Sequence, residues 1–173
     1  MTTDDSTAGT DRRDNGASWT SWGATQPELS RAARSMLAHA LGNLTPQHPV
    51  PVDQAAVAPS RLPAAVRDAL VAAVGEPSVR VDAVSRAWHA GGQSYSDIVR
   101  RRRGDTSEAP DAVVAPATAA EVAEVLRVCS ESRVAVVPWG GGTSVVGGLS
   151  ALAGDLQAVV ALDLSRMDRL VSV

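Results

Sequence analysis

The sequence contains no lysine and no phenylalanine, and only one cysteine. Each gap excludes something. A Walker A phosphate loop needs a lysine after its last glycine, so that class of nucleotide site is ruled out. A single cysteine, Cys129, rules out an intrachain disulfide and a cysteine-based zinc cluster. Four tryptophans and one tyrosine are the only aromatics, so alanine and valine supply most of the core, each burying modest area. Such a core is thin for the length, which fits a piece of something larger. No apolar run is long enough to span a bilayer as a helix. A net charge of −3 gives no footprint for nucleic acid. His39, His48 and His89 lie far apart and show no metal-ligand spacing. The polar start, Met1 to Asn15, lacks the apolar segment of a secretory leader, so the expected compartment is the cytoplasm.

What the chain does have is glycine, and five of its 14 glycines fall between Val134 and Gly148 (VAVVPWGGGTSVVGG). Such a loop lets the backbone approach a ligand closely. Its successive N–H groups can form a concave anion site, to which Thr143 and Ser144 add hydroxyls. A diphosphate suits that arrangement. The Rossmann pattern G-x-G-x-x-G does not fit, because Val145 stands where its third glycine would be. Gly147, Gly148 and Gly154 also discourage a following helix. A plain glycine-rich connection after a strand is the simpler alternative.

The surroundings read as a β-α-β unit. Asp111–Ala115 is a short apolar strand. Thr118 and Glu121 fit a capping box for a helix that places Val122, Val125, Leu126 and Cys129 on one face. Val134–Val137 is the next strand, with a crossover long enough for parallel pairing with the first. Ala158–Leu162 is a third apolar run, and Leu170–Val173 opens a fourth. Asp163 and Ser165 are read as turn residues. Upstream, Thr25 and Glu28 suggest a box for a helix ending at Gly42, with Leu29, Ala33, Met36, Leu37, Ala40 and Leu41 on one side. A second helix is expected over 63–74 and a short one over 82–90. Arg100–Arg103 reads as the solvated end of a helix. Trp19, Trp22 and Trp88 read as packing anchors. Trp139 either walls a ligand or packs behind the loop.

These motifs carry a family resemblance. P-D-A-V-V-x-P, a helix, V-A-V-V-P-W-G-G-G-T-S-V-V-G-G and V-V-A-L-D-L-S-R-M-D-R-L together resemble the first half of the FAD-binding domain of the p-cresol methylhydroxylase and vanillyl-alcohol oxidase superfamily. The loop G-G-G-T-S-V, the segment Arg86–Asp111 with its R-x-x-H-A-x-G-x-S pattern, and the opening Trp19–Gly23 (WTSWG) resemble its alkyldihydroxyacetonephosphate synthase branch. The implied fold is α+β (α/β): a helical N-terminal region followed by a β-α-β unit. The implied organisation is a disordered tail over 1–16, a helical region with a Pro-rich linker over 17–80, a connecting helical segment over 81–109 and an incomplete FAD-binding domain over 110–173.

The resemblance implies that Trp139, Gly140, Gly141, Gly142, Thr143, Ser144 and Val145 bind the FAD pyrophosphate, with Gly147 and Gly148 closing the turn. It implies a non-covalent flavin, because Thr143 stands where several members carry a flavin-bonded histidine, and no histidine is near in sequence. The family exchanges the acyl chain of acyl-dihydroxyacetone phosphate for a fatty alcohol in ether-lipid synthesis. It thus implies a lipid substrate, and allows peripheral membrane association and a homodimer. Alternatives are an FAD-linked 2-hydroxy-acid oxidase or dehydrogenase, or a non-catalytic binding module. The family's catalytic residues fall beyond Val173, so none is assigned here, and this stretch alone is expected to be inactive.

Overall fold

Ala158–Asp163 is buried at all six positions, because it is an interior strand of a four-stranded sheet. A strand covered on both faces needs a continuous apolar run rather than alternation. The computed structural model describes residues 18–22, 28–42 and 47–172. In chain order its elements are α1 (Arg31–Leu41), α2 (Ala64–Val74), β1 (Val79–Arg80), α3 (Ala83–Trp88), α4 (Tyr95–Arg102), β2 (Ala112–Val114), α5 (Ala119–Glu131), β3 (Val134–Trp139) and β4 (Ala158–Asp163), with short 3-10 turns between.

The sheet order is β1-β2-β4-β3. β2 and β3 both run parallel to β4, with Ala112 opposite Val160 and Trp139 opposite Asp163. The two halves of the β-α-β unit therefore do not pair with each other, as the crossover length suggested; β4 lies between them. β1 is antiparallel to β2. No strand forms over residues 170–172.

α2 and α5 cover one face of the sheet. Val66 and Leu70 from α2 and Val125, Val128 and Cys129 from α5 pack on Ala112, Val114, Val134, Val160 and Leu162. The buried stripe of α5 thus includes Val128, while Leu126 is 45% exposed. The expected face was rotated, because the position of α2 against α5 decides which flank is covered. The Thr118 hydroxyl accepts from the Glu121 amide as expected. The Glu121 carboxylate, however, accepts from the Ala117 amide, one residue before the cap. Gly75 ends α2, with its N–H returning to the Val71 carbonyl.

A second cluster joins the N-terminal segment to α3. Trp19 and Trp88 meet edge-to-face at 5.7 Å, packed with Val52, Ala55 and Ala87. The Arg101 guanidinium lies 5.4 Å from the Trp19 ring centre. Arg101 is buried, so the arginine run is not a solvated helix end. Arg100 pairs with Asp97 and Glu108, and Arg102 reaches the Thr20 carbonyl. Trp22 is half exposed and stacks on Tyr95. α1 begins at Arg31 behind a Ser30 cap and buries none of its residues, including the apolar side expected to pack. Thr25 lies outside the described residues.

Candidate cofactor-binding site

β3 is an edge strand, which tolerates Pro138 without breaking a ladder. Beyond it the chain turns sharply under glycine control. Gly142 has φ +72° and is buried. A Cβ there would sit 2.5 Å from Trp139 Cζ2, so the indole fills the space beneath the loop. Gly147 also has positive φ, at +77°. The Ser144 hydroxyl accepts from the Gly148 amide at 3.3 Å and draws the loop closed.

Gly140 and Gly141 are different. Neither has positive φ. A Cβ on Gly140 would meet nothing within 4 Å, and one on Gly141 only Thr143 Cγ2 at 3.7 Å. The fold does not need glycine at either position. Both are exposed, so the missing side chains leave open space on the outer side of the loop. Among the described residues, the amides of Gly141, Gly142 and Thr143 donate to no protein acceptor. Open space beside uncommitted N–H groups is the cradle a diphosphate requires. The residues present therefore fit the phosphates of a dinucleotide cofactor. Val145 and Val146 extend outward, 62% and 88% exposed.

The segment before α4 presses on the same loop. The Gln93 amide donates to the Ser144 carbonyl at 2.6 Å. A Cβ on Gly92 would lie 2.1 Å from that carbonyl oxygen, so only glycine permits the approach. Gly92 is itself fixed, its N–H on Asp97 and its carbonyl on Arg101. Trp22 Nε1 donates to the Gln93 carbonyl at 2.7 Å.

Beneath the loop lies a buried polar cluster built on His89 and Asp163. His89 packs on Trp139 with ring centres 4.6 Å apart. Sequence distance had placed no histidine near the loop; the fold brings this one under it. Its Nδ1 lies 2.7 Å from the Ser85 carbonyl and its Nε2 3.3 Å from Asp163 Oδ2. Both partners can accept from a ring N–H, so the two contacts fix the orientation of the imidazole. Asp163 also receives Arg80 Nη2 at 3.2 Å and the Ser165 amide at 3.0 Å. Burial pushes the Asp163 carboxyl up, but hydrogen bonds from His89 and Ser165 and the His89 charge outweigh it. The carboxyl sits well below the usual carboxylate range. Asp163 therefore does more than make a turn: it ties β4, α3 and β1 together beside Trp139. The signal for this was present in the R-x-x-H-A-x-G-x-S segment, where His89 stands just before the glycines that touch the loop.

Residues 110–173 match the family described as FAD binding domain. The chain belongs to this family of FAD-binding domains. Its parent proteins are FAD-dependent enzymes, and FAD is the cofactor of the domain. Alkyldihydroxyacetonephosphate synthase of Trypanosoma brucei brucei is 33% identical over 107 residues, covering 61% of this chain and 18% of that enzyme. Protein Rv2250A of Mycobacterium tuberculosis is 37% identical over 101 residues, covering 57% of this chain and 68% of that protein. A solved alkyldihydroxyacetonephosphate synthase superposes with a TM-score of 0.74 at 23% identity, over 90% of this chain and 34% of that one. That likeness shows the shared fold. The FAD-binding chain thus spans less than a fifth of the trypanosomal synthase it matches.

Proposed function

We propose that Trp139–Val145, closed by Gly147 and Gly148, holds the diphosphate of FAD non-covalently. On this reading the chain supplies the phosphate-binding half of the cofactor site in an alkyldihydroxyacetonephosphate synthase-like enzyme. The carrying observation is the open space at Gly140 and Gly141, which the fold itself does not use. The loop amides and the Thr143 hydroxyl bind phosphate oxygens, and Trp139 acts from behind by supporting the turn at Gly142. Bound FAD supplies the flavin ring on which acyl-for-alkyl exchange is carried out. Non-covalent attachment is supported by Thr143 and by His89, whose two ring nitrogens are both committed to protein acceptors.

Titration of the chain with FAD, followed by quenching of flavin fluorescence, tests the reading. Gly141→Val is expected to weaken binding by about tenfold or more, as loss of charge-assisted phosphate contacts does. Its unfolding midpoint should stay near that of the parent, because the new side chain meets open space. Equal FAD affinity in the two proteins would move the site elsewhere.

A further inference from the structure

Arg166 is pinned by neutral partners and faces no acid. Its Nη1 donates to Ser78 Oγ at 2.6 Å and to the Ala115 carbonyl at 2.8 Å. Among the described residues no carboxylate lies within ion-pair reach of it, and its Nε and Nη2 find no protein acceptor. Across the same cavity stands Arg80. One of its nitrogens is on Asp163, but its Nε is buried and without an acceptor. The cavity holds about 520 Å³ and is lined also by Ser78 and Ser165. Its size is that of a small-molecule site.

Charge and position point the same way. Two cations, Arg80 and Arg166, line the cavity, and among the described residues Asp163 is the one carboxylate ion-paired with either. Asp82 also feels the Arg80 charge, but its carboxylate caps α3 through the Ser85 amide. A positive surplus remains. Ala115 follows β2, and Ser165 and Arg166 follow β4, so the cavity opens at the carboxyl ends of parallel strands. Ligands of open α/β sheets bind at that edge. A purely structural role accounts for Arg166 Nη1, which staples Ser78 to Ala115. It does not account for the buried Nε of Arg80, which has no acceptor, while the remaining donors of the exposed Arg166 face solvent and are open to a ligand.

We propose that the cavity between Arg80 and Arg166 binds a phosphate group, as a site separate from the glycine loop. The planar guanidinium of Arg166 offers a fork matched to phosphate oxygens, Arg80 Nε adds a donor, and the Ser165 hydroxyl completes the set. The phosphate is that of a small phosphate ester; the diphosphate of the cofactor is the competing source that the test separates. The site does not depend on the FAD reading of the loop.

The test is titration of the whole chain with inorganic phosphate, followed by broadening of its phosphorus resonance at constant ionic strength. Ser165→Asp places an acid in the cavity without removing the Ser165 amide bond to Asp163. Arg166→Gln removes the fork, and Arg166→Lys keeps the charge without it. Ser165→Asp and Arg166→Gln are expected to weaken phosphate binding by about tenfold, and Arg166→Lys by less. Gly141→Val should leave it unchanged while impairing FAD. Absence of broadening in the parent, or broadening that survives Ser165→Asp, overturns the proposal. So does loss of binding in Gly141→Val alone, which would assign the phosphate to the loop. Two further titrations, with glycerol phosphate and with FAD as competitor, identify the source. Displacement by FAD that Ser165→Asp removes would place the cofactor diphosphate in this cavity and overturn the proposal of a separate site. Binding of the ester undisturbed by FAD assigns it to a free phosphate ester.

Discussion

The Trp139 indole lies directly beneath Gly142, with Cζ2 only 2.5 Å from where a Cβ would stand. Gly142→Ala must strain a left-handed residue and displace a buried ring. The backbone strain alone is worth roughly 1–3 kcal/mol. The variant is expected to unfold at lower denaturant concentration and to shift tryptophan emission to the red. Gly140→Ala, facing open space, should stay within about 1 kcal/mol of the parent. Chemical denaturation of both variants compares a glycine the fold needs with one it leaves free.

Gly92→Ala acts on the other side of the same loop. Its Cβ would meet the Ser144 backbone carbonyl at 2.1 Å, and backbone does not yield as a flexible side chain does. We expect a loss of about 1–3 kcal/mol, in the range of overpacked sites. The Gln93 amide, held by Ser144, should lose its protection from hydrogen exchange. Full protection in the variant would show that the contact can relax without cost.

Acid should unfold this protein partly through Asp163. Its folded carboxyl lies below the ordinary value of about 4. Its stabilisation is therefore complete above that pH and drains away as pH falls below it. Asp163→Asn leaves His89 buried beside an uncharged partner, for an expected loss of about 3 kcal/mol at neutral pH. The difference from the parent should shrink below about pH 4. Asp97, also held low, keeps some acid sensitivity in the variant. Unfolding free energies measured across pH decide the matter.

Cys129 should be silent to thiol reagents in the native state. It is buried against the sheet, and burial pushes its thiol up to about 11. Labelling with an aromatic disulfide at pH 8 is expected to follow the unfolding rate and to become immediate in denaturant. Rapid native labelling would mean that α5 opens locally.

The β-α-β unit and the loop were legible because their signals are local. Caps at Thr118, the apolar runs and the glycines each act within a few residues. The buried cluster was not, because it is made of partners far apart in sequence. His89 and Asp163 are 74 residues apart. Arg101, within a run of four arginines, has a polarity that suggests solvent; the aromatic face of Trp19 and the Gly92 carbonyl, both outside the run itself, explain its burial. The same limit applies to α5. Val128 and Leu126 are equally apolar, and it is α2 that selects between them.

The place of β4 in the sheet has a consequence for synthesis. β2 and β3 are made first, yet neither has its parallel neighbour until Ala158–Asp163 emerges from the ribosome. Until then two apolar segments wait unpaired, a state prone to wrong association. The residue that closes the sheet beside Trp139 is also the last of β4, Asp163. A nascent chain arrested before that point would carry the glycines of the loop without the floor that shapes them.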